Sequence, residues 1–469
     1  MTGRSPPYTV SFVTLGCAKN LVDSERALGA LEREGFALTT EPAEADLIVV
    51  NTCGFIEAAK QESVEEILRL AALKEEGRPR RLVVAGCLSQ RYRAQLEAEL
   101  PEVDRFLGLV DPAETVALVR SLAALEQREP PACSSPAPAV PPRRLTTPAH
   151  YAWLKIAEGC SNPCTFCAIP LMRGRLRSVE PDVLVAEAQL LAAGGVRELI
   201  LVAQDTTHYG ADRPSGDRPP AERFRLPDLL RRLGTEAPGL AWLRLMYAYP
   251  AHVTDELLEA LADTPKVVPY LDLPIQHTSE RMLAAMRRSI TADRQRALLE
   301  RIRERVPGIA LRTSVIVGFP GEREADFLEL LEAVRTFRFE RLGVFPWSAE
   351  EDTPAFTLPD RVEPAEVERR RTELMQVQAG IAAQRNRDLE GTLTEVLVEE
   401  RLDDLVPFHY LGRTPADAPE VDQGIYLELP AGAFPERLRH LRPGDIVRAE
   451  VVGATDFDLE GVLLPEPPR

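Results

Sequence analysis

The chain has 469 residues, enough for about three domains. Its 45% hydrophobic and 28% charged residues are those of a globular protein, and no apolar run is long enough to span a bilayer, which speaks against a membrane protein. A net charge of −17 disfavours a protein that grips nucleic acid chiefly through phosphates and favours a basic partner, unless the acidity serves only solubility. Met1–Val10 lacks the charged-then-apolar order of a secretion signal, so a cytoplasmic location is expected. In that reducing compartment the seven cysteines read as ligands or nucleophiles rather than disulfides.

In chain order, β-rich runs at Thr9–Thr14, Asp46–Asn51 and Arg81–Ala85 alternate with helical spacing at Leu21–Glu34 and Glu57–Leu73. Strands alternating with helices predict a parallel sheet. Glu129–Pro148 holds seven prolines and reads as an extended, solvated linker, with Cys133 inside it as an incidental thiol. Alternation resumes with strands predicted at Trp153–Ala157, Glu198–Ala203, Leu243–Tyr247, Pro269–Leu273, Ala310–Val317 and Arg341–Phe345. Pro181–Ala193, Asp255–Ala262 and Glu324–Phe337 are helices between them, and the polar segment Ala211–Arg225 is an excursion loop. Six βα units are too few for an eight-fold barrel and fit an incomplete one, open on one side to a large substrate. Glu363–Glu390 is a charged amphipathic helix. The short runs Thr392–Val398, Ile425–Leu429, Ile446–Val452 and Val462–Leu464 suggest a small antiparallel β-barrel. The fold class is therefore α/β with a C-terminal β-barrel.

The sharpest motif is Cys160-x-x-x-Cys164-x-x-Cys167, placed after the first strand of the incomplete barrel, at the carboxyl end where barrel active sites lie. Thiolates suit zinc or iron–sulfur clusters. A structural zinc site is closed by four protein ligands, and no fourth Cys or His lies nearby. Three ligands on a four-iron cluster leave one iron open to chelate S-adenosylmethionine (SAM) and deliver an electron to it, a route to radical chemistry on inert C–H bonds. Cys17, Cys53 and Cys87 are far apart in sequence, yet each follows one of the first three strands, in Leu15-Gly16-Cys17, Asn51-Thr52-Cys53-Gly54 and Ala85-Gly86-Cys87. Adjacent parallel strands would bring them to one edge, where open α/β sheets bind ligands. The plainer reading is three buried cysteines packed as small hydrophobes.

With these motifs, over nearly its whole length, the chain resembles the methylthiotransferase family of radical SAM enzymes. The resemblance implies an N-terminal methylthiotransferase domain (1–126), a Pro-rich linker (127–148), a radical SAM domain (149–377) and a C-terminal TRAM domain (378–469). It implies two 4Fe–4S clusters, one on Cys160, Cys164 and Cys167 and an auxiliary one on Cys17, Cys53 and Cys87, with SAM as methyl donor and radical source. Gly16-Cys17-Ala18-Lys19-Asn20, Arg244–Pro250 and Gly343–Glu351 resemble the branch that methylthiolates an aspartate β-carbon of small-subunit ribosomal protein S-twelve; Trp347 and Asp352 depart from it, standing where Tyr and Gly are expected. An electron donor such as flavodoxin or ferredoxin and a sulfur donor are implied as further partners. Gln204 and Asp205 end one barrel strand and Gly318 and Phe319 follow a later one; both pairs are candidates to contact SAM, or alternatively strand-to-helix turns with Asp205 as a cap. His277 either lines the cavity or is a satisfied buried histidine, and no catalytic base is assigned. The same chemistry on transfer RNA, and a non-catalytic iron–sulfur or RNA-binding scaffold, are the competing readings. Against RNA stands the C-terminal charge: from Asp388 to Arg469 there are 18 Asp and Glu against 7 Lys and Arg, a net of −11. Such a surface repels phosphate and complements a basic ribosomal protein, with Asp403, Asp404, Asp456 and Asp458 expected to be exposed.

Overall fold

A computed structural model of the chain describes residues 7–75, 77, 79–128, 140–213, 223–432 and 434–465. Its first sheet runs Ala37–Leu38, Thr9–Thr14, Leu47–Thr52, Arg81–Gly86, Arg105–Phe106 in spatial order, every pair parallel. The long strands are continuous apolar runs because both faces are covered. Helices Ala18–Arg33 and Pro112–Leu125 pack Ala27, Leu31, Val119 and Leu122 on one face. Helices Glu57–Glu75 and Cys87–Glu99 pack Ile67, Leu70, Leu88 and Leu96 on the other. Thr14 pairs with Asn51 and Thr52 with Gly86, so Cys17, Cys53 and Cys87 follow adjacent strand ends.

The second sheet has six parallel strands lying side by side in chain order: Tyr151–Lys155, Glu198–Val202, Trp242–Leu245, Val267–Asp272, Ala310–Val317 and Arg341–Pro346. Helices cover its outer face with an almost purely aliphatic layer. The inner face carries Tyr151, Trp153, Ile200, Val202, Trp242, Val268, Tyr270 and Ala310. An open sheet this apolar on its concave side must be covered. Two other parts of the chain do so. Val22, with Ala18 and Leu21 beside it, comes from the first helix, and Leu397, Ala418 and Ile446 come from the C-terminal domain.

That domain is a closed barrel in the order Leu393–Arg401, Phe408–Arg413, Ile425–Glu428, Leu459–Leu463, Ile446–Ala454. All its pairings are antiparallel except Ile425–Glu428 with Leu459–Leu463, which are parallel. Helix Pro364–Asp388 links it to the open sheet. Several of its acids face inward to that sheet. Glu198, fully buried, accepts from Arg244 Nε and Arg413 Nη2, both at 2.6 Å, and Arg413 Nε pairs with Glu399 at 2.7 Å. Asp417 pairs with Arg341, Glu420 accepts from Tyr151 Oη at 2.6 Å, and Asp422 accepts from Tyr270 Oη at 2.7 Å. Part of the barrel's negative charge is therefore structural. Asp403, Asp404 and Asp456 are exposed as expected, but Asp458 is half-buried and accepts from Gly424 N at 2.9 Å.

The described end of the proline-rich segment, residues 140–148, is anchored to the folded domains. Residues 129–139, with Cys133, and 214–222 of the excursion loop lie outside the described residues. From 140 onward the chain straps the first two domains together. Arg143 is buried and pairs with Glu25 at 2.6 Å and Glu187 at 3.0 Å, while Thr146 N donates to Glu25 at 2.7 Å. Gly29 leaves room for the strap: a Cβ there would lie 2.6 Å from the Pro142–Arg143 backbone. Proline composition signalled an extended path but not the arginine that anchors it.

Replacing Arg143 by Ala leaves Glu25 and part of Glu187 as uncompensated buried charge. Chemical denaturation of the Arg143→Ala protein is expected to show a loss of about 3 kcal/mol.

Candidate active site

Cys17 caps the first helix and Cys87 opens another, so both sulfurs sit at helix N-termini, which favour negative charge. Gly16, at φ +92°, folds Cys17 back onto Cys53: a Cβ on Gly16 would lie 2.7 Å from Cys53 Cβ and 3.0 Å from its Sγ. Only glycine takes that conformation in that space. Asn20 stitches the strand ends, donating to Leu15 O at 2.9 Å and Thr52 O at 3.1 Å, with its Oδ1 3.8 Å from Cys87 Sγ. Ser63 donates to Cys53 O at 2.9 Å and accepts from Cys53 N at 3.1 Å.

The Cys160–Cys167 loop follows the first strand of the open sheet. Cys160 N donates to Gly174 O at 3.1 Å, Thr165 N to Met286 O at 3.1 Å, and Cys167 N to Cys164 O at 3.3 Å. Arg288 Nη1 donates to Cys164 Sγ at 3.5 Å, and the Tyr249 hydroxyl lies 3.8 Å from the same sulfur. All six described cysteines are free thiols. Within each trio the sulfurs sense one another's charge, yet among the described residues no three thiol sulfurs lie within 4.8 Å of one another. Thiolates around a single zinc lie about 3.8 Å apart. At that spacing neither trio closes around a single zinc.

The thiols differ in acidity. Burial pushes Cys53 and Cys160 up to about 11 and Cys167 up to about 12, each offset in part by a backbone N–H. Cys87 is raised by burial as well. Burial also acts on Cys17, but the Lys19 and Arg173 cations and the N–H groups of Asn20 and Lys19 outweigh it, and Cys17 ends below the usual thiol range.

Between the two trios lies a buried charge network that joins the domains. Arg173, six residues after Cys167, donates to Asn20 Oδ1 at 2.5 Å, to Asp23 Oδ2 at 3.2 Å and to Glu158 at 2.8 and 2.9 Å, and also hydrogen-bonds Cys87. Lys155 pairs with Asp23 and, at 2.8 Å, with Glu158. Burial acts on Glu158 first, but Lys155 and Arg173 outweigh it and hold its carboxyl down to about 2. Gln204 Nε2 donates to Glu158 Oε1 at 3.0 Å, which leaves Gln204 Oε1 buried with no partner among the described residues.

Asp205 is saturated. It accepts from Thr207 Oγ1 at 2.6 Å, from His208 N at 3.2 Å and from Asn162 Nδ2 at 2.8 Å, and lies 2.8 Å from His252 Nδ1. It caps a turn and steadies the cysteine loop through Asn162. His208 and His252 stack at 4.1 Å and converge on it. Gly318 donates its N–H to Glu322, and the space of its absent Cβ is filled by Val367. Phe319 is fully buried against Trp347. His277 is buried and satisfied, accepting from Thr278 N at 2.9 Å and Ser279 N at 3.0 Å. Asp352 has φ +62°, the left-handed region that favours glycine, so its residue type is a departure but its conformation is not. Sequence reasoning missed Asp23, Lys155, Arg173, Tyr249, His252 and Arg288. Arg173 carried the one readable hint, its place just after the cysteine motif.

Three family models match: "Uncharacterized protein family UPF0004" over residues 9–108, the "Radical SAM superfamily" over 154–334 and the "TRAM domain" over 391–464. Fold, cysteine motif and matches define a radical SAM enzyme, which works with an iron–sulfur cluster and SAM. A solved structure, the radical SAM methyltransferase TsrM from Kitasatospora setae, shares the fold at a TM-score of 0.55 and 17% identity, over 75% of this chain and 77% of that one. Relatives named ribosomal protein uS12 methylthiotransferase RimO are far more similar. That of Anaeromyxobacter sp. strain K is 48% identical over 97% of this chain and 93% of its own length, and that of Pelobacter propionicus is 43% identical over 97% of each. The chain belongs to this family of radical SAM methylthiotransferases, in its RimO branch. Among the described residues no helix is long and apolar enough to cross a membrane.

In the iron-free protein at pH 8, alkylation is expected to reach Cys17 well before Cys53 and Cys167, whose thiolates are rare until pH 11–12. Peptide mapping of a timed alkylation checks this, and equal rates at the three positions would contradict it.

Proposed function

We propose that the protein attaches a methylthio group to the β-carbon of an aspartate in ribosomal protein uS12, with Cys160, Cys164 and Cys167 holding the 4Fe–4S cluster that works with SAM and Cys17, Cys53 and Cys87 holding an auxiliary 4Fe–4S cluster. The observation that carries the reading is the position of two thiol trios past the carboxyl ends of parallel strands, joined by the ion network of Asp23, Lys155, Glu158 and Arg173. When bound, the clusters and SAM supply hydrogen abstraction from an unactivated carbon, the sulfur and the methyl group. The rest falls to the chain. Arg288 and the helix N-termini at Cys17 and Cys87 offset thiolate charge. The unpartnered Gln204 Oε1 suits a donor on SAM, such as its ammonium. Asp205 holds the Cys160 loop in shape, and Gly318 and Phe319 build the wall behind it by packing. The first helix and the C-terminal barrel close the concave face against water.

The target is supported by the RimO relatives and by the charge of the C-terminal barrel. Even with Glu399, Asp417, Glu420 and Asp422 engaged in the interface, the exposed remainder is acidic and suits a basic ribosomal protein better than an RNA backbone. An electron donor such as flavodoxin or ferredoxin and a sulfur donor complete the proposal.

Anaerobically reconstituted protein is expected to bind about eight irons. Changing either trio to Ala should leave about half, and the Cys17, Cys53 and Cys87 triple variant should still cleave SAM. Methylthiolation of uS12, read by mass spectrometry, should require both trios. Full iron retention in the N-terminal triple variant would overturn the auxiliary site.

A further inference from the structure

Three cations, Lys19, Lys155 and Arg173, are buried between the trios, and two are fully engaged. Arg173 and Lys155 share the carboxylates of Asp23 and Glu158. The third, Lys19, is 6% exposed and has no carboxylate partner among the described residues. Its Nζ stands 3.4 Å above the ring of Tyr247 and near the Tyr247 hydroxyl and the Cys17 sulfur. Everything else about the position opposes a cation. It is buried, it lies in the first turn of a helix, where the dipole is positive, and Arg173 is close enough to repel it. The anion the chain sets beside it is the Cys17 thiolate, which the proposed function gives to the auxiliary cluster; among the described residues no carboxylate pairs with the ammonium.

Tyr247 is held for the purpose. It has φ +60°, a strained conformation for tyrosine. Its N–H donates to Asp272 Oδ2 at 3.0 Å, and its carbonyl accepts from Thr206 N at 3.0 Å and Thr206 Oγ1 at 3.1 Å. These bonds fix the ring under Lys19 at the carboxyl end of the open sheet, the same end as the Cys160 loop.

We propose that Lys19 receives the carboxylate of the target side chain and so selects an acidic residue as substrate. This rests on the proposed uS12 reaction. The target's β-carbon is one bond from its carboxylate, so an ammonium that fixes the carboxylate also fixes the carbon from which hydrogen leaves. Tyr247 supports the ammonium from below, and the Cys17 sulfur lies to one side, where the auxiliary group would stand.

The test measures binding of the anaerobic, iron-loaded enzyme to uS12 and to uS12 with its target Asp changed to Asn. The unmutated enzyme should bind the Asp form at least about tenfold more tightly, as expected for loss of one partner of a buried charge pair. Lys19→Met should bring the ratio close to one, chiefly by weakening the Asp form, and Lys19→Arg should restore part of it. If Lys19 serves only to balance cluster charge, Lys19→Met changes iron content but keeps the unmutated ratio, which overturns the proposal. If Lys19→Met fails to hold iron, the unmutated enzyme decides: equal affinity for Asp and Asn forms overturns the proposal. An enzyme that modifies uS12 with a ratio near one sinks the proposal alone. An enzyme that neither binds nor modifies either form sinks the uS12 reading and the proposal with it.

Discussion

The buried ion network of Asp23, Lys155, Glu158 and Arg173 is the contact on which the rest of the structure depends. It contains two acids and two bases, drawn from two domains, and each charge is met by at least two opposite ones. Removing charges from water costs several kcal/mol apiece, and such a group repays that cost only with close geometry and satisfied hydrogen bonds. The network therefore tolerates few relative placements of the N-terminal sheet and the open sheet. In the one it allows, two sets of strand ends face each other, and two thiol trios with them.

The strap at Arg143 and the barrel interface at Glu198 extend the same logic to the edges of the assembly. Glu25 and Glu187 tie the helices of two domains through one arginine, and Glu198 ties the open sheet to the barrel through Arg413, with Arg244 beside it donating to Pro415 O at 2.8 Å. An apolar concave face would accept many lids, but these buried charges accept only one. Beside the trios, Gln204 Oε1 is left with no partner and Lys19 with no carboxylate partner among the described residues.

Much of this was legible in the sequence. Apolar runs between glycines placed Thr9–Thr14 and Ala310–Val317 to the residue, and helices Pro181–Ala193 and Glu324–Phe337 likewise, because period and boundary residues agree there. Cys160, Cys164 and Cys167 announced themselves by spacing. Cys17, Cys53 and Cys87 share no such spacing, and only their common position just past the end of a strand marks them as a set. Strand Phe408–Arg413 escaped notice because Pro407 precedes it and His409 and Gly412 interrupt its pattern. The seam residues escaped for a different reason. Asp23, Glu158 and Arg173 look like ordinary surface charges on helices and loops, and only the docking of two domains makes them interior. The acidic barrel shows the same limit, since sequence counts charge but does not say which acids face another domain.

The most direct test of the account is the electron paramagnetic resonance of the reduced, iron-loaded protein. Cys87 packs against Ala168 and Met172, just past Cys167, so clusters held by the two trios would stand close enough for their unpaired spins to interact. The intact protein should then show faster spin relaxation and a broadened signal compared with either triple-cysteine variant. A spectrum equal to the sum of the two variants' spectra, with unchanged relaxation, would place the two centres far apart and contradict the account.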